Sequence, residues 1–293
     1  MVLVTKPEQS ITDKPFTTEI KSIIQETPQI KTFYVSFVIQ GKAPSVIPGQ
    51  FIIVWIPGID EIPMAVSYIL DNGDIGFTVK DVGEATHALH EMKIGDIIGI
   101  RGPYGNGYHL KDGFSIIIGG GIGIASIRLL VQRALQKKPH HLMIVIGAQT
   151  ATELLYLEEF QEILKPSQLL ICTDDGSHGK KGFVTPILEK DLTKIKEQAG
   201  ANAITVYACG PEIMLKSLLN VCNTHKLELE ASLERFMRCG FGLCGLCVVD
   251  PLGIKICQNG PVLNSAILNE LDDFGKFHRD VTGEKYRIDS NHG

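Results

Sequence analysis

Four of the seven cysteines, Cys239, Cys244, Cys247 and Cys257, fall within nineteen residues. They are spaced Cys-x4-Cys-x2-Cys, and the fourth follows after nine intervening residues. Thiolates hold iron–sulfur clusters, and three cysteines in one such loop followed by a lone fourth is the plant-type [2Fe–2S] pattern. Gly240, Gly242 and Gly245 lie between the ligands. They let the loop wrap a cluster and aim backbone amides at its sulfur atoms. A structural zinc site also takes four cysteines, but it usually does so through two short knuckles. The remaining cysteines, Cys172, Cys209 and Cys222, are scattered among apolar neighbours. Such crowding, in a chain whose first ten residues lack an apolar export signal, reads as a metal site and not as a disulfide framework.

A second group of residues has nucleotide chemistry. Ile116-Ile117-Ile118-Gly119-Gly120-Gly121-Ile122-Gly123 follows an apolar run and opens a helical pattern. Glycines there admit a diphosphate close to the backbone, and the helix start supplies free N–H groups. The spacing differs from GxGxxG, and a tight strand–helix packing would also require glycine. Two further turns follow later apolar runs: Thr173-Asp174-Asp175-Gly176-Ser177, and Cys209-Gly210-Pro211-Glu212-Ile213-Met214. Each alone is compatible with a simple turn or with Pro at the start of a helix. All three fall at the carboxyl ends of expected strands, where open α/β sheets bind ligands.

The elements that must position these groups divide the chain in three. Over 1–110, strands are expected at Phe16–Gln25, Ile30–Ile39, Phe51–Ile56, Val66–Leu70, Ile75–Lys80 and Ile97–Arg101, separated by turn clusters at 43–49, 57–63 and 71–73. Six short strands at this spacing suggest a closed β-barrel. Over 111–228, strands at Phe114–Ile118, Leu142–Ile146, Leu169–Thr173 and Ala203–Ala208 alternate with helices near Ile124–Gln136, Glu153–Leu164, Thr185–Lys190 and Pro211–His225. Such alternation implies a doubly wound parallel sheet covered on both faces. Over 229–293 the chain is first rich in cysteine and glycine and then polar, with an unstructured tail expected from Thr282. The fold class is therefore α/β plus β, with a small C-terminal cluster domain.

With 44% hydrophobic and 21% charged residues and a net charge of −5, the composition is that of a soluble globular protein without a basic face for nucleic acid. The most apolar stretch, 113–131, carries five glycines, Ser115, Ser126 and Arg128, and suits a buried strand–turn–helix better than a membrane span. No membrane association and a cytoplasmic location are expected.

GGGIGIAS at 119–126 and CGPEIM at 209–214, after a six-stranded barrel, resemble the ferredoxin–NADP reductase superfamily over roughly residues 16–228. The resemblance implies a flavin-binding barrel joined to a nicotinamide domain, with Gly119, Gly120, Gly121 and Gly123 in the dinucleotide turn and Cys209, Gly210 and Met214 beside the nicotinamide. It implies FAD contacts at Met64, Ala65, Val66, Ser67 and Tyr68, where the family's Arg-x-x-Ser strand lies, and at Lys80, Gly83, Ala85 and Thr86. Met64 stands where that family has Arg, and a thioether cannot make the bidentate ion pair with a phosphate that Arg makes. Lys80 is a possible substitute, and the amides of 82–86 can hold an anion by themselves. Gly102-Pro103-Tyr104-Gly105-Asn106-Gly107 is similar to the superfamily's barrel-closing loop.

Leu233-Glu234-Arg235-Phe236-Met237-Arg238-Cys239-Gly240, then Cys257-Gln258-Asn259-Gly260-Pro261-Val262, resemble a narrower family, the electron-transfer subunits of NAD-dependent dihydroorotate dehydrogenase. That resemblance implies FAD, one [2Fe–2S] cluster and NAD as co-substrate. It also implies a catalytic partner chain that carries FMN and oxidises dihydroorotate, in a heterotetramer of two plus two. Electrons would pass from FMN through the cluster to FAD and then as hydride to NAD, in pyrimidine biosynthesis. No residue of this chain stands out as an acid–base catalyst, as suits a relay. Asp174 and Asp175 are candidates to accept from a ribose and so favour NAD over NADP, although Lys180 and Lys181 lie near. Two alternatives stay open: the small subunit of an NAD(P)H-linked ferredoxin oxidoreductase or sulfide dehydrogenase, and a zinc-stabilised nucleotide-binding regulatory protein.

Overall fold

The computed structural model describes residues 12–38, 41–137 and 140–288. Alternating runs of Ile, Val, Phe and Thr in the first third form six antiparallel strands: β1 (Thr12–Thr27), β2 (Ile30–Ser36), β3 (Phe51–Ile56), β4 (Asp60–Ile69), β5 (Asp74–Lys80) and β6 (Ile97–Tyr104). They close into a barrel in the order β1-β2-β5-β4-β3-β6. Period-two alternation sends Phe33, Val35, Val54, Val66, Phe77 and Ile100 inward, and Phe33 and Phe77 stack with ring centroids 5.8 Å apart. The barrel matches the expected strands, with two differences. β4 begins at Asp60, inside the segment expected as a turn, because Asp60–Pro63 pair with Val54–Ile56 and Ile53 of β3. A helix, α1 (Glu84–Glu91), lies between β5 and β6 where only a loop was expected. It is short, and Leu89 with Ala85, Ala88 and Met92 packs it onto the barrel core.

The middle third forms β7 (Phe114–Gly120), α2 (Gly123–Lys137), β8 (Leu142–Ala148), α3 (Leu157–Ile163), β9 (Leu169–Thr173), β10 (Lys180–Lys181), α4 (Val184–Ala199), β11 (Ile204–Cys209), α5 (Glu212–His225) and β12 (Glu228–Ser232). Every residue of β7 is buried, as a strand covered on both faces demands. The sheet runs β10-β9-β8-β7-β11-β12-β15. It is parallel except at β15 (Val262–Asn264), which returns antiparallel to β12 from beyond the cysteine loop. Two two-stranded pieces complete the C-terminal part: β13 (Val248–Val249) with β14 (Ile254–Lys255), and β16 (Phe277–Arg279) with β17 (Lys285–Arg287). The short helices α6 (Ile256–Asn259) and α7 (Ser265–Asn269) lie between them. The tail expected to be unstructured from Thr282 is therefore a hairpin as far as β17, pinned by Lys285 to Asp250 and Asp273 at 2.6 and 3.0 Å. No helix among the described residues is long and apolar enough to cross a membrane.

Besides the β12–β15 ladder, a buried ion pair fastens the C-terminal part to the sheet domain. Glu212, at the first turn of α5, accepts from Arg235 through both carboxylate oxygens, the Nη2–Oε1 contact being 2.8 Å. It also accepts from the Gly275 amide at 2.7 Å and contacts His278 Nε2 at 3.1 Å. Burial disfavours the charged carboxyl, but His278 and Arg235 outweigh it and hold the Glu212 carboxyl below the usual range. A carboxyl with a depressed folded-state pKa contributes stability above its unfolded pKa, and that stability fades as the pH falls through the folded value. Glu212→Gln is expected to lose about 3–5 kcal/mol at pH 7, as breaking one side of a buried pair does, and to show a flatter acid limb below about pH 4.5. Urea unfolding between pH 3 and pH 7 measures both; an unaltered acid limb in the variant excludes Glu212 as the stabilising carboxylate.

Candidate functional site

The three turns singled out from sequence meet along one edge of the parallel sheet. Gly119 of β7 pairs with Cys209 of β11, Cys209 with Ser232 of β12, and Ala148 of β8 with Thr173 of β9. The glycines there do different jobs. A Cβ on Gly119 would lie 2.4 Å from Ile124, on Gly120 2.7 Å from Met214 Sδ, and on Gly123 2.6 Å from the Cys209–Gly210 backbone. These glycines let β7, α2 and the 209–214 turn press together. Gly121, in the left-handed region at φ +54°, has no atom within 4 Å of its Cβ position. Of the four glycines of the turn, it alone has open space at its Cβ position. Gly210, at φ +154°, packs against Gly120 and the Met214 methyl.

Cys209 is buried, and burial pushes its thiol up to about 12, with Ser126 and Ser232 hydrogen-bonded to it. It is a neutral thiol, able to pack against a ring but not to act as a nucleophile at neutral pH. The two aspartates also separate. Asp175 accepts from the Ser177 amide at 2.9 Å and its hydroxyl at 2.6 Å, which holds its carboxyl below the usual range. Asp174 is exposed at the rim, and its carboxyl lies above the usual range through partial desolvation and the neighbouring Asp175 and Glu153. Asp175 is thus engaged locally with Ser177, while Asp174 stands at the exposed rim.

On the barrel, β4 and β5 carry a bulge between Val66 and Tyr68. The extra residue, Ser67, is buried, with its Oγ 2.9 Å from Thr78 Oγ1 and donating to the Gly76 carbonyl at 3.2 Å. Val66 lies in the barrel core, so only its backbone can meet a ligand. Ala65 is half-buried opposite Phe51. Met64 packs on the core together with Ala85 and Ala88 of α1. Lys80 is half-buried at the end of β5. The Val82 and Gly83 amides donate to Thr86 Oγ1, both at 2.9 Å, so Thr86 folds the turn. A Cβ on Gly83 would meet nothing within 4 Å. The open glycine and the first-turn amides of α1, which lack intrahelical acceptors, form a cradle that fits a pyrophosphate.

The four candidate cluster thiols are arranged in two pairs. Cys247 and Cys257 have their sulfurs 3.3 Å apart. Cys239 Sγ accepts from the Leu243 amide at 3.2 Å and the Cys244 amide at 3.5 Å, and the Cys244 side chain also bonds it. Burial raises the Cys239 thiol, but the amides of Cys244, Phe241 and Leu243 prevail and bring it to about 7. The hydrogen bond that Cys247 shares with the Cys257 thiol, helped by the Cys257 amide at 3.4 Å, brings Cys247 to about 6 against its burial, while the Cys257 thiol is raised. Sulfur atoms that accept from backbone amides, as those of Cys239 and Cys247 do, suit metal ligation. Among the described residues, no three His, Cys, Asp or Glu side chains converge as a single ion would require. Two cysteine pairs suit the two irons of a [2Fe–2S] cluster.

Several residues that shape this region carry no motif. Arg128 of α2 donates to the Ser67 carbonyl at 3.0 Å, pairs with both Glu159 oxygens at 2.9 and 2.6 Å, and lies 3.4 Å from the Tyr68 ring centroid. Tyr156 donates to or accepts from Thr78 at 2.6 Å. Arg101 reaches from β6 to the carbonyls of Arg238 and Cys239. An isolated Arg inside an apolar pattern is the sole sequence signal for any of them.

Comparison with known proteins places these features in context. Residues 117–219 match the family model described as an oxidoreductase NAD-binding domain. Residues 234–269 match the iron–sulfur cluster binding domain of dihydroorotate dehydrogenase B. A probable dihydroorotate dehydrogenase B (NAD(+)) electron transfer subunit from Methanocaldococcus jannaschii is 41% identical over 273 residues, covering 93% of this chain and 98% of that one. One of the same description from Methanocella arvoryzae is 38% identical over 280 residues, covering 94% and 100%. Among solved structures, a chain of the NADH-dependent reduced ferredoxin–NADP oxidoreductase, described in work on flavin-based electron bifurcation, superposes with a TM-score of 0.74 at 29% identity, covering 87% of this chain and 89% of that one. The ferredoxin reductase of carbazole 1,9a-dioxygenase shares the fold, with a TM-score of 0.62 at 17% identity over 77% of this chain and 70% of that one.

The two kinds of glycine give a stability test. Gly123→Ala is expected to cost about 1–3 kcal/mol by overpacking against Cys209, and Gly121→Ala about 1–2 kcal/mol for its left-handed backbone. Only Gly121→Ala should weaken dinucleotide binding out of proportion to its stability loss. Urea midpoints combined with calorimetric titration of NAD and NADP check this, and equal binding losses in the two variants would remove Gly121 from the site.

Proposed function

Because this chain belongs to the family of electron-transfer subunits of NAD-dependent dihydroorotate dehydrogenase B, we propose that it relays electrons from a catalytic partner subunit to NAD. The observation that carries the reading is the pairing of four thiols in a loop seated on the same barrel that bears the Ser67 bulge and the α1 cradle. The chain works as three modules, 1–110 for FAD, 111–228 for NAD and 229–293 for the cluster. When bound, a flavin exchanges hydride with nicotinamide and single electrons with an iron–sulfur cluster, which joins two-electron to one-electron chemistry.

The residues divide the work. Cys239, Cys244, Cys247 and Cys257 would hold the cluster, whose irons supply one-electron transfer. Ala65, Val66, Ser67 and Tyr68 border the flavin, mainly through backbone, while Lys80, Gly83, Ala85 and Thr86 form the pyrophosphate turn, with Met64 packed beneath it. Gly121 admits the NAD diphosphate, with Gly119, Gly120 and Gly123 keeping the turn close to β11, and Asp174 rather than Asp175 meets the ribose. Gly210 and Met214 shape the nicotinamide end, and the neutral Cys209 thiol closes it against water. Phe241 and Leu243 stand exposed on the cysteine loop, Leu243 at 76%. They offer an apolar contact to the partner, which carries FMN and oxidises dihydroorotate within a two-plus-two assembly in the cytoplasm.

A second reading draws support from the fold comparison. The likeness to the ferredoxin–NADP oxidoreductase chain extends over most of both chains, so a partner other than a dihydroorotate dehydrogenase would turn the same relay to another substrate.

The deciding experiment follows the visible spectrum of the anaerobic protein, with and without a co-expressed catalytic subunit. Dihydroorotate is expected to bleach flavin and cluster absorbance only with the partner present, and NAD to restore it. Cys244→Ser should remove the cluster absorbance and leave the flavin. Bleaching by NADH or NADPH alone, with no response to dihydroorotate and partner, selects the second reading.

Met64→Arg is expected to keep or tighten FAD affinity, by up to about tenfold if a bidentate phosphate pair forms. Fluorescence titration of the deflavinated protein measures it, and a marked weakening would show that Met64 lies away from the pyrophosphate.

A further inference from the structure

Arg101 is the point where the barrel wall grips the cysteine loop. Its side chain is 6% exposed, and Glu61 of β4, at 31%, meets it in a two-point pair, Nε–Oε1 at 3.0 Å and Nη2–Oε2 at 2.7 Å. The outer edge of the guanidinium is spent on the loop: Nη1 donates to the Cys239 carbonyl and Nη2 to the Arg238 carbonyl at 2.9 Å. Nη1 also lies 3.4 Å from the Tyr104 hydroxyl. The loop lies flat there, since a Cβ on Gly240 would sit 3.1 Å from Ile53 and 3.2 Å from the Tyr104 ring. A guanidinium removed from water needs an acceptor for each donor, and two of those acceptors belong to a cluster ligand and its neighbour.

We propose that the Arg101–Glu61 pair is a positioning and tuning element for the iron–sulfur cluster, holding the Cys239 end of the loop on the barrel and setting the cluster's reduction potential by the balance of its two charges. The inference rests on the cluster reading of Cys239, Cys244, Cys247 and Cys257. Its physical content is a sign. Reduction adds negative charge to a cluster, so a nearby cation favours the reduced state and a nearby anion opposes it, and a partly buried setting weakens screening by water. In the native protein the two charges offset. Removing the cation alone leaves Glu61 without its counter-charge beside the loop's anchor, and removing the anion alone leaves an unbalanced guanidinium on the Cys239 carbonyl. Loosening of the loop, by contrast, would act in the same direction in both variants.

The test uses full-length holoprotein and anaerobic redox titration, with the reduced cluster read by electron paramagnetic resonance and the flavin by absorbance. Arg101→Gln should shift the cluster potential down and Glu61→Gln should shift it up. Each shift should be about tenfold in the reduced-to-oxidised ratio at fixed ambient potential, equal to about 59 mV for one electron. Arg101→Lys, which keeps the charge but not the fork, should stay near the wild-type potential while hydrogen exchange at 238–244 quickens. If Arg101→Gln fails to fold, the upward shift in Glu61→Gln and the near-constant potential in Arg101→Lys still decide the matter. Shifts of the same sign, or no shift in a protein whose cluster signal is intact, overturn the tuning role. A wild-type protein with no two-iron signal after anaerobic preparation overturns the cluster reading itself, a distinct result.

Discussion

A guanidinium cannot be buried unless several acceptors come to it, and this protein draws those acceptors from different parts of the chain. Three arginines are buried among the described residues, Arg101, Arg128 and Arg235. Arg128 ties α2 of the sheet domain to the Ser67 carbonyl of the barrel. Arg235 ties the approach to the cysteine loop to Glu212 of α5. Arg101 ties the loop itself to the barrel. Each crosses from one module to another, and losing one partner strands a charge away from water, at a cost of several kcal/mol. A relay depends on fixed separations between its centres, and these three contacts join the modules that would carry them.

The same economy appears at the sheet edge. Packing between β7, α2 and the 209–214 turn consumes Gly119, Gly120 and Gly123, and it leaves Gly121 alone beside open space. Binding a nucleotide there uses a turn whose shape is already set by contacts within the protein. On the barrel, the cradle at Gly83 is likewise folded by Thr86 before any ligand arrives. Beside it, the first turn of α1 presents amides that bear partial charge in a fixed direction. At position 64 the thioether packs on the barrel core together with Ala85 and Ala88 of α1.

The sequence by itself determined the barrel strands, the alternating parallel sheet and the crowding of four cysteines in one short segment, since these rest on short-range periodicity and spacing that each segment carries within itself. Its misses have physical causes. α1 is eight residues long and is held by packing of Leu89 on the barrel, a contact invisible to local propensity. The hairpin at β16–β17 is polar and is held by Lys285, Arg279 and His278 to groups far back in the chain. Only the tertiary structure divided one row of glycines into packing and open positions, separated Asp174 from Asp175, and paired the thiols two by two. It alone brought Arg101 to Cys239 across 138 residues. Those outcomes depend on which groups are left without water and must find partners, and that is decided by the whole fold and not by any segment of it.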